Sequence, residues 1–592
     1  MAATEDALMD KEQQQLAEEL LFSEEKKPSF AKRLFFGDYP SHQVFPYPLV
    51  DKEEKRRTDE YLKELEDFLN NEFDAASIDR NAEIPQSVIH GLAKRGVLGM
   101  SVPKEYGGLG MSQHAYCRAV EMIARRCSAT AIFVNAHQSI GLKGILLFGT
   151  DEQKDKWLPP LSKGEKIAAF SLTEPNAGSD ASGVETRAVY DPERKVYRLN
   201  GRKQWTTNGS IAEVLTVMAQ TEMDTPEGKK DKITAFIVTP DMPGFRITDK
   251  ALEKVGVRGT RTTNIEFNDV EVPEAYILGE KGAGLKICLT TLDYGRTTFG
   301  AMCTGAAKYA LECTLNHAVT RYQFKQPLCA FPLVKKKLAT MAAQVYAMDA
   351  TTYMTAGLID SGVEDIMLEA AILKVFCSEA LWSIIFEAMQ IHGGRSFFTD
   401  MPLERMMRDA RLNTIGEGSN EVLRAFIGLV GMRDVGMQLK DIVDALHSPL
   451  TKLGKLFSFG RGRMRWPHVA VRSEKIKVEA EELARQVKRF GDEVQHALYI
   501  HREAIIDKQL VLDRIASCVI AIYTMTAVLS KIDSEIEQCN GRLNDDVAAN
   551  LETAKLYCII ANNQIDQNIV KLHDNDDSRY EELSDKLVKY YE

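Results

Sequence analysis

At residues 170–180 the chain reads FSLTEPNAGSD, and the character of the sequence changes there. Upstream, from Lys52 to about Phe148, apolar residues recur at helical spacing. Asp51–Asn70 carries them among charges, Ile84–Lys94 follows, and Gln113–Ala129 is a further amphipathic run. Downstream, to about Leu278, the runs are short and β-rich: KVYRLNG, VLTVMAQ, KITAFIVTP and TTNIEFNDVEV, punctuated by Gly, Asn, Asp and Pro. Helical spacing returns from Gly284 to about Met432, with long segments at Leu285–Tyr322, Leu333–Ser361 and Glu364–Ile391, and continues in a more charged fourth region. The 170–180 stretch is therefore a helix-to-strand boundary, and the order helices, strands, helices, helices predicts a multidomain α+β fold. Its expected parts are an N-terminal arm (1–50, charged and then aromatic), an N-terminal helical domain (51–167) and a middle β-sheet or barrel domain (168–283). A C-terminal helical bundle (284–435) and an additional C-terminal helical domain (436–592) follow.

The totals narrow the function. The chain has 592 residues, 44% of them hydrophobic, enough for several packed domains. A net charge of −11 argues against nucleic acid as the main partner. Ten cysteines include no C-x-x-C pair. The spacings His114–Cys117 and Cys313–His317 fall in separate helical regions without a second pair nearby, so reduced thiols and no metal site are expected. No apolar run approaches the roughly 20 residues of a membrane span. The acid-rich N-terminus lacks both the apolar core of a secretory signal and the Arg-rich character of a transit peptide. Two locations stay open: bacterial cytoplasm, or a mitochondrion after removal of a transit peptide.

Several motifs carry chemistry. In FSLTEPNAGSD the backbone, the Thr173 hydroxyl and Ser179 lie in a glycine-containing loop suited to a polar ring system. In LNGRKQWTTNGS (199–210), Trp205 beside Thr206 and Thr207 suits a flat aromatic ligand, and reads equally as sheet core with LNG as a hairpin turn. Neither G-x-G-x-x-G nor a Walker A loop occurs. RYQF (321–324) offers a guanidinium for a pyrophosphate and Phe324 for stacking, while QIHGGRSF (390–397) offers a Gly-Gly turn for close approach of a phosphate. Both also read as helix C-caps. In RLNTIGEGSNEVLRAF (411–426), Glu417 between two glycines is either a capping acid for the helix that follows or a base presented on a nearly bare backbone.

In this order, FSLTEPNAGSD, KQWTTNG, VGVRGTRTTNIEFNDVEVPEAYILG, RYQF, QIHGGRSF, MRDAR and GEGSN closely resemble the acyl-CoA dehydrogenase family, from about Tyr61 to Arg433. HQSIGLKGILLFGT (137–150) and the extra C-terminal region are most similar to its very-long-chain branch. The resemblance implies FAD-dependent oxidation of a long- or very-long-chain fatty acyl-CoA to the trans-2-enoyl thioester. A base takes the α-proton and flavin takes the β-hydride. By position, Glu417 matches the base, and its own backbone amide a donor to the thioester carbonyl. A minority of relatives carry the acid just before the arginine of DYGR, which here is Gly295.

The same matching places Phe170, Leu172, Thr173, Trp205 and Thr207 against the flavin, and Ser419 beside the cofactor. It places Arg321, Phe324, Gln390, Gly393 and Gly394 against the FAD of a neighbouring subunit. Ser179, Asp293 and Arg296 fall on the pantetheine and CoA side, and Gly418 lets the substrate approach. Arg408 and Asp409 are read as a structural ion pair. Two positions depart from the pattern: Gly416 stands where relatives often carry an aromatic residue, and Lys325 where a small residue is usual. The resemblance further implies a homodimer that passes electrons to an electron-transferring flavoprotein. A non-catalytic assembly protein on the same fold and an acyl-CoA oxidase are the competing readings. Finally, 452–477 holds eight Lys or Arg against one acid, with Phe457, Phe459 and Trp466 interleaved, which reads as a peripheral membrane contact or as a solvated linker.

Overall fold

A computed structural model describes residues 29–48, 50–225, 228–446, 466–539 and 542–591. The strand-rich segment forms one eight-stranded sheet: β1 (Ala168–Ser171), β2 (Arg187–Asp191), β3 (Val196–Thr207), β4 (Val214–Thr225), β5 (Gly228–Val238), β6 (Phe245–Ile247), β7 (Thr262–Pro273) and β8 (Ile277–Leu278). The order is β6-β7-β3-β2-β4-β5-β8, with β1 parallel to β4. Along the first half of β3, Tyr197 and Leu199 are buried and Arg198 and Asn200 exposed, the period-two alternation of a half-buried strand. The register of β3 against β7 shifts twice, between Leu199 and Gly201 and between Lys203 and Thr206. The second bulge reverses the alternation. Trp205 takes φ +58° and is 61% exposed. The core reading of Trp205 is thereby excluded.

Helices flank the sheet in sequence on both sides. Gly284–Thr320 is the central one, buried along most of its length and packed against Gln113–Arg126, Pro332–Asp360 and Met367–His392. A Cβ at Gly305 would lie 2.1 Å from the Glu121 carbonyl oxygen, so glycine is what lets the first two of these helices approach so closely. Beyond it come Pro402–Asn413 and Asn420–Leu446, the latter running unbroken through the expected junction at 435–436. Lys477–His501, Gln509–Gln538, Asp545–His573 and Asp577–Val588 form the additional C-terminal domain. Gln509–Gln538 corrects one expectation. It contains an 18-residue window of mean hydropathy 1.8, long and apolar enough to cross a membrane. Of that window 94% is buried inside the protein, so its apolarity serves a packed core.

Residues 29–48 of the N-terminal arm are part of that core. Phe30, Phe35, Tyr39, Phe45 and Tyr47 are buried in one cluster with Ile515, Tyr523 and Ile532. The Ser29 hydroxyl and the Ala31 N–H donate to Glu369 Oε1 at 2.7 and 2.9 Å, and the Tyr47 hydroxyl donates to the Ala350 carbonyl at 2.7 Å. Residues 452–465 of the basic stretch lie outside the described residues. Of its remainder, Arg472 pairs with the buried Asp533 at 3.0 Å.

Candidate active site

The turn Thr414–Ser419 joins the helices Pro402–Asn413 and Asn420–Leu446. Glu417 at its centre has φ +56°, and Gly418, at +94°, occupies the left-handed region that favours glycine. Gly416 is under no such demand: a Cβ there would meet Leu412 at an ordinary 3.5 Å. The Glu417 carboxyl does not cap the following helix. That role falls to Ser419, whose hydroxyl accepts from the Val422 N–H at 3.4 Å. Instead Glu417 Oε1 accepts from Asn135 Nδ2 at 2.7 Å, while Oε2 is buried without a partner among the described residues. No backbone carbonyl among them accepts from the Glu417 N–H. Burial pushes the Glu417 carboxyl up to about 7, against the opposing pull of Arg296, Lys374 and the Asn135 amide.

Three contacts hold this turn, and each comes from a helix distant in sequence. Arg296 donates through Nε to the Glu417 carbonyl at 3.4 Å and through Nη1 to Asp293 at 3.0 Å. Lys374 donates to the Gly418 carbonyl at 2.6 Å and to Asn420 Oδ1 at 2.8 Å. Burial pushes the Lys374 ammonium down to about 8 and the Asp293 carboxyl up to about 7. Gly295 faces the Glu417 carboxyl directly: a Cβ at that position would lie 2.8 Å from Glu417 Oε2 and 2.7 Å from Ile140. Glu417 and the position before the arginine of DYGR thus converge on one point in space, and the latter is bare. Asn135 and Lys374 escape sequence reading: Lys374 sits in an otherwise apolar helical run, and Asn135, just ahead of the HQSIGLKGILLFGT block, meets a partner 282 residues away.

Asn135 opens a π-helical turn, Asn135–Gly141, which brings buried polar residues into line. Within it, the Ala168 N–H donates to His137 Nδ1 at 2.9 Å, so the proton sits on Nε2, 3.2 Å from the Leu161 carbonyl. The neutral imidazole ties this turn to the start of β1. From β1 the FSLTEPNAGSD loop runs over β3. Lys203, 0% exposed, pairs with Glu174, 2% exposed, at 2.5 Å and also reaches the Leu172 carbonyl at 3.0 Å. The Gln204 N–H donates to the Thr173 carbonyl at 2.7 Å, and Ser171 and Thr206 share a hydroxyl hydrogen bond of 2.8 Å. These bonds bring Phe170, Leu172 and Thr173 beside Trp205 and Thr207. Ser179 stays out on the exposed part of the loop, while Asp293 and Arg296 lie buried beneath the 414–419 turn.

The RYQF and QIHGG groups lie at one end of the helical bundle. His317 and His392 stack at 4.2 Å, so the helix ends preceding Arg321 and Gly393 are side by side. The helix ending at His392 is capped by the Gly393 N–H, and Gly393 and Gly394 face open space. Phe324 is 88% exposed, in a two-residue hairpin turn where Phe324 and Lys325 have φ +49° and +69°. That backbone explains why a small residue suits position 325. Lys325→Gly is expected to raise stability by about 1 kcal/mol, read as a higher denaturation midpoint.

One reading fails outright. Arg408 and Asp409 do not pair: Arg408 bonds Asp79 and Glu404 at 2.7 and 2.9 Å, while the buried Asp409 accepts from the Val257 N–H at 2.6 Å. Successive residues on a helix point about 100° apart, so adjacent charges seldom meet.

Comparison with known proteins shows the family. Models of the acyl-CoA dehydrogenase N-terminal, middle and C-terminal domains match residues 55–165, 169–270 and 282–431, and the ACAD9/ACADV C-terminal domain matches 474–590. The mitochondrial very long-chain specific acyl-CoA dehydrogenase of Bos taurus is 37% identical over 86% of this chain and 79% of its own. An acyl-CoA dehydrogenase from Bacillus anthracis, solved in complex with FAD, is 31% identical with a TM-score of 0.76, covering 93% of this chain and 94% of that one. A chain in a structure titled for the electron transferring flavoprotein of Acidaminococcus fermentans is 34% identical with a TM-score of 0.60, over 65% of this chain and 99% of its own. This chain belongs to the acyl-CoA dehydrogenase family.

Proposed function

We propose that this protein is an FAD-dependent dehydrogenase that converts long- or very-long-chain fatty acyl-CoA to the trans-2-enoyl thioester, with Glu417 as the base. The observation that carries the reading is the Glu417 carboxyl: buried, held through Oε1, and free at Oε2. A weakly acidic α-proton needs a carboxylate whose basicity has been raised by exclusion of water. The free Glu417 N–H is a donor for the thioester carbonyl, where negative charge develops as the proton leaves. Trp205, held outward by its bulge, offers an uncovered ring for a planar cofactor, with Thr173 and Thr207 beside it. FAD, when bound, supplies the two-electron acceptor.

A second copy of the chain completes the cofactor site in this reading. Arg321 lies 25 residues along one helix from Arg296, about 37 Å at 1.5 Å per residue. The distance separates the RYQF and QIHGG groups from the Glu417 turn, in keeping with the family resemblance, by which Arg321, Phe324, Gln390, Gly393 and Gly394 serve the cofactor of a partner copy; a homodimer is expected. An electron-transferring flavoprotein is the proposed acceptor. The test is anaerobic bleaching of the bound flavin by saturated acyl-CoAs of increasing length. Long chains are expected to bleach it fastest, and failure at every length with FAD bound contradicts the reading.

A further inference from the structure

We propose that Asn135 is a positioning residue for the base: its amide fixes Glu417 Oε1 and thereby selects Oε2 as the oxygen that takes the α-proton. The inference rests on Glu417 being the base, as proposed above. Three observations carry it. The bond from Asn135 Nδ2 to Glu417 Oε1 is short, 2.7 Å, and joins residues 282 apart in sequence. It is the one hydrogen bond of the Asn135 side chain among the described residues, since Oδ1 is buried without a partner. The amide therefore holds the carboxylate and secures no other part of the fold. Finally, Asn135 is the first residue of the π-helical turn, where a change of helical pitch redirects the side chains that follow Val134.

The consequence for chemistry follows from the donor's character. A neutral amide N–H stabilises the charged carboxylate without neutralising it, so Glu417 remains a base while one of its oxygens is immobilised. Gly416 adds to the need for such a clamp. Without a side chain at that position, the turn gains no packing there to restrain the carboxyl from its own strand. The other charged or titratable groups facing Glu417 act from different elements. Arg296, with its partner Asp293, and Cys303 come from Gly284–Thr320, Lys374 from Met367–His392 and Tyr116 from Gln113–Arg126. Arg296 and Lys374 bond backbone carbonyls of the turn, which leaves Asn135 as the contact to the carboxylate itself.

The test compares FAD-loaded wild type, Asn135→Ala and the isosteric Asn135→Asp. Two readouts are used: the pH profile of kcat/KM, and infrared titration of the Glu417 carboxyl band, assigned by its loss in Glu417→Gln. Losing a hydrogen bond to the charged form is expected to move the acid limb upward by about one pH unit in Asn135→Ala. Asn135→Asp, which adds like charge in the same shape, is expected to move it further. Should Asn135→Ala fail to retain FAD, the isosteric variant carries the comparison. An unmoved limb and an unmoved carboxyl band in FAD-bound variants overturn the proposal. If Glu417→Gln itself bleaches normally, it is the assignment of the base that fails instead.

Discussion

Glu417→Gln is expected to bind FAD as wild type does and to lose about 10³-fold or more in the rate of flavin reduction by acyl-CoA. General-base catalysis by a positioned side chain contributes about 10² to 10⁴-fold, and Gly295, the position from which another carboxylate would reach the same point, carries no side chain. The Asn135 contact survives because the amide of Gln still offers an acceptor. The same substitution has a stability signature whose sign is opposite to that of an ordinary salt-bridged acid. The native carboxyl, at about 7, lies above its unfolded value of 4.5, so the native state binds the proton more tightly. The associated stability is full below the unfolded value and is lost as pH rises through about 7. Glu417→Gln, which never ionises, is therefore expected to exceed wild type above pH 7 by up to about 3 kcal/mol, with the gap closing in acid. Parallel chemical denaturation of both proteins across that pH range checks it.

Lys203→Ala is expected to be the most damaging change away from Glu417. Its ammonium is fully buried against Glu174, and burial pulls its pKa down while Glu174 holds it up. Removing one partner of a buried pair costs about 3–5 kcal/mol, because the remaining charge keeps its desolvation cost and loses its counter-charge. Glu174 also accepts from the Thr186 N–H at 3.1 Å, so the loss propagates along the loop that carries Phe170, Leu172 and Thr173. A fall in melting temperature together with release of FAD on desalting is the predicted phenotype. Lys203→Met combined with Glu174→Gln is expected to recover part of the stability, since no unpaired charge is then buried. A single Lys203→Ala variant as stable as wild type would show that the pair contributes little.

The parts of this protein legible in its sequence are the local ones. Helical and alternating periodicities placed the central helix within two residues of its observed ends and located the long strands β3, β4, β5 and β7. Motif order identified the family, because it records a whole constellation where each motif alone admits a cap or a turn. What stayed hidden depends on long-range packing. Asn135, Arg296 and Lys374 meet the 414–419 turn from three helices, and nothing local to any of them announces it. Trp205 was ambiguous because alternation counts residues evenly and a bulge inserts one. The Arg408–Asp409 pairing failed because adjacency along a helix is not adjacency in space. The apolar length of Gln509–Gln538 was missed because scattered polar residues interrupt a helix that is nonetheless almost wholly interior.

The central claim is that Glu417 removes the α-proton, and hydrogen exchange at the substrate isolates that step from electron transfer. The measurement is solvent deuterium incorporation at the α-carbon of an acyl-CoA analogue that resists oxidation at its β-position, bound to the FAD-loaded protein and followed by NMR. Wild type is expected to exchange the α-hydrogen, with a rate that rises through about pH 7, while Glu417→Gln is expected to leave it in place. Undiminished exchange in Glu417→Gln would contradict the account.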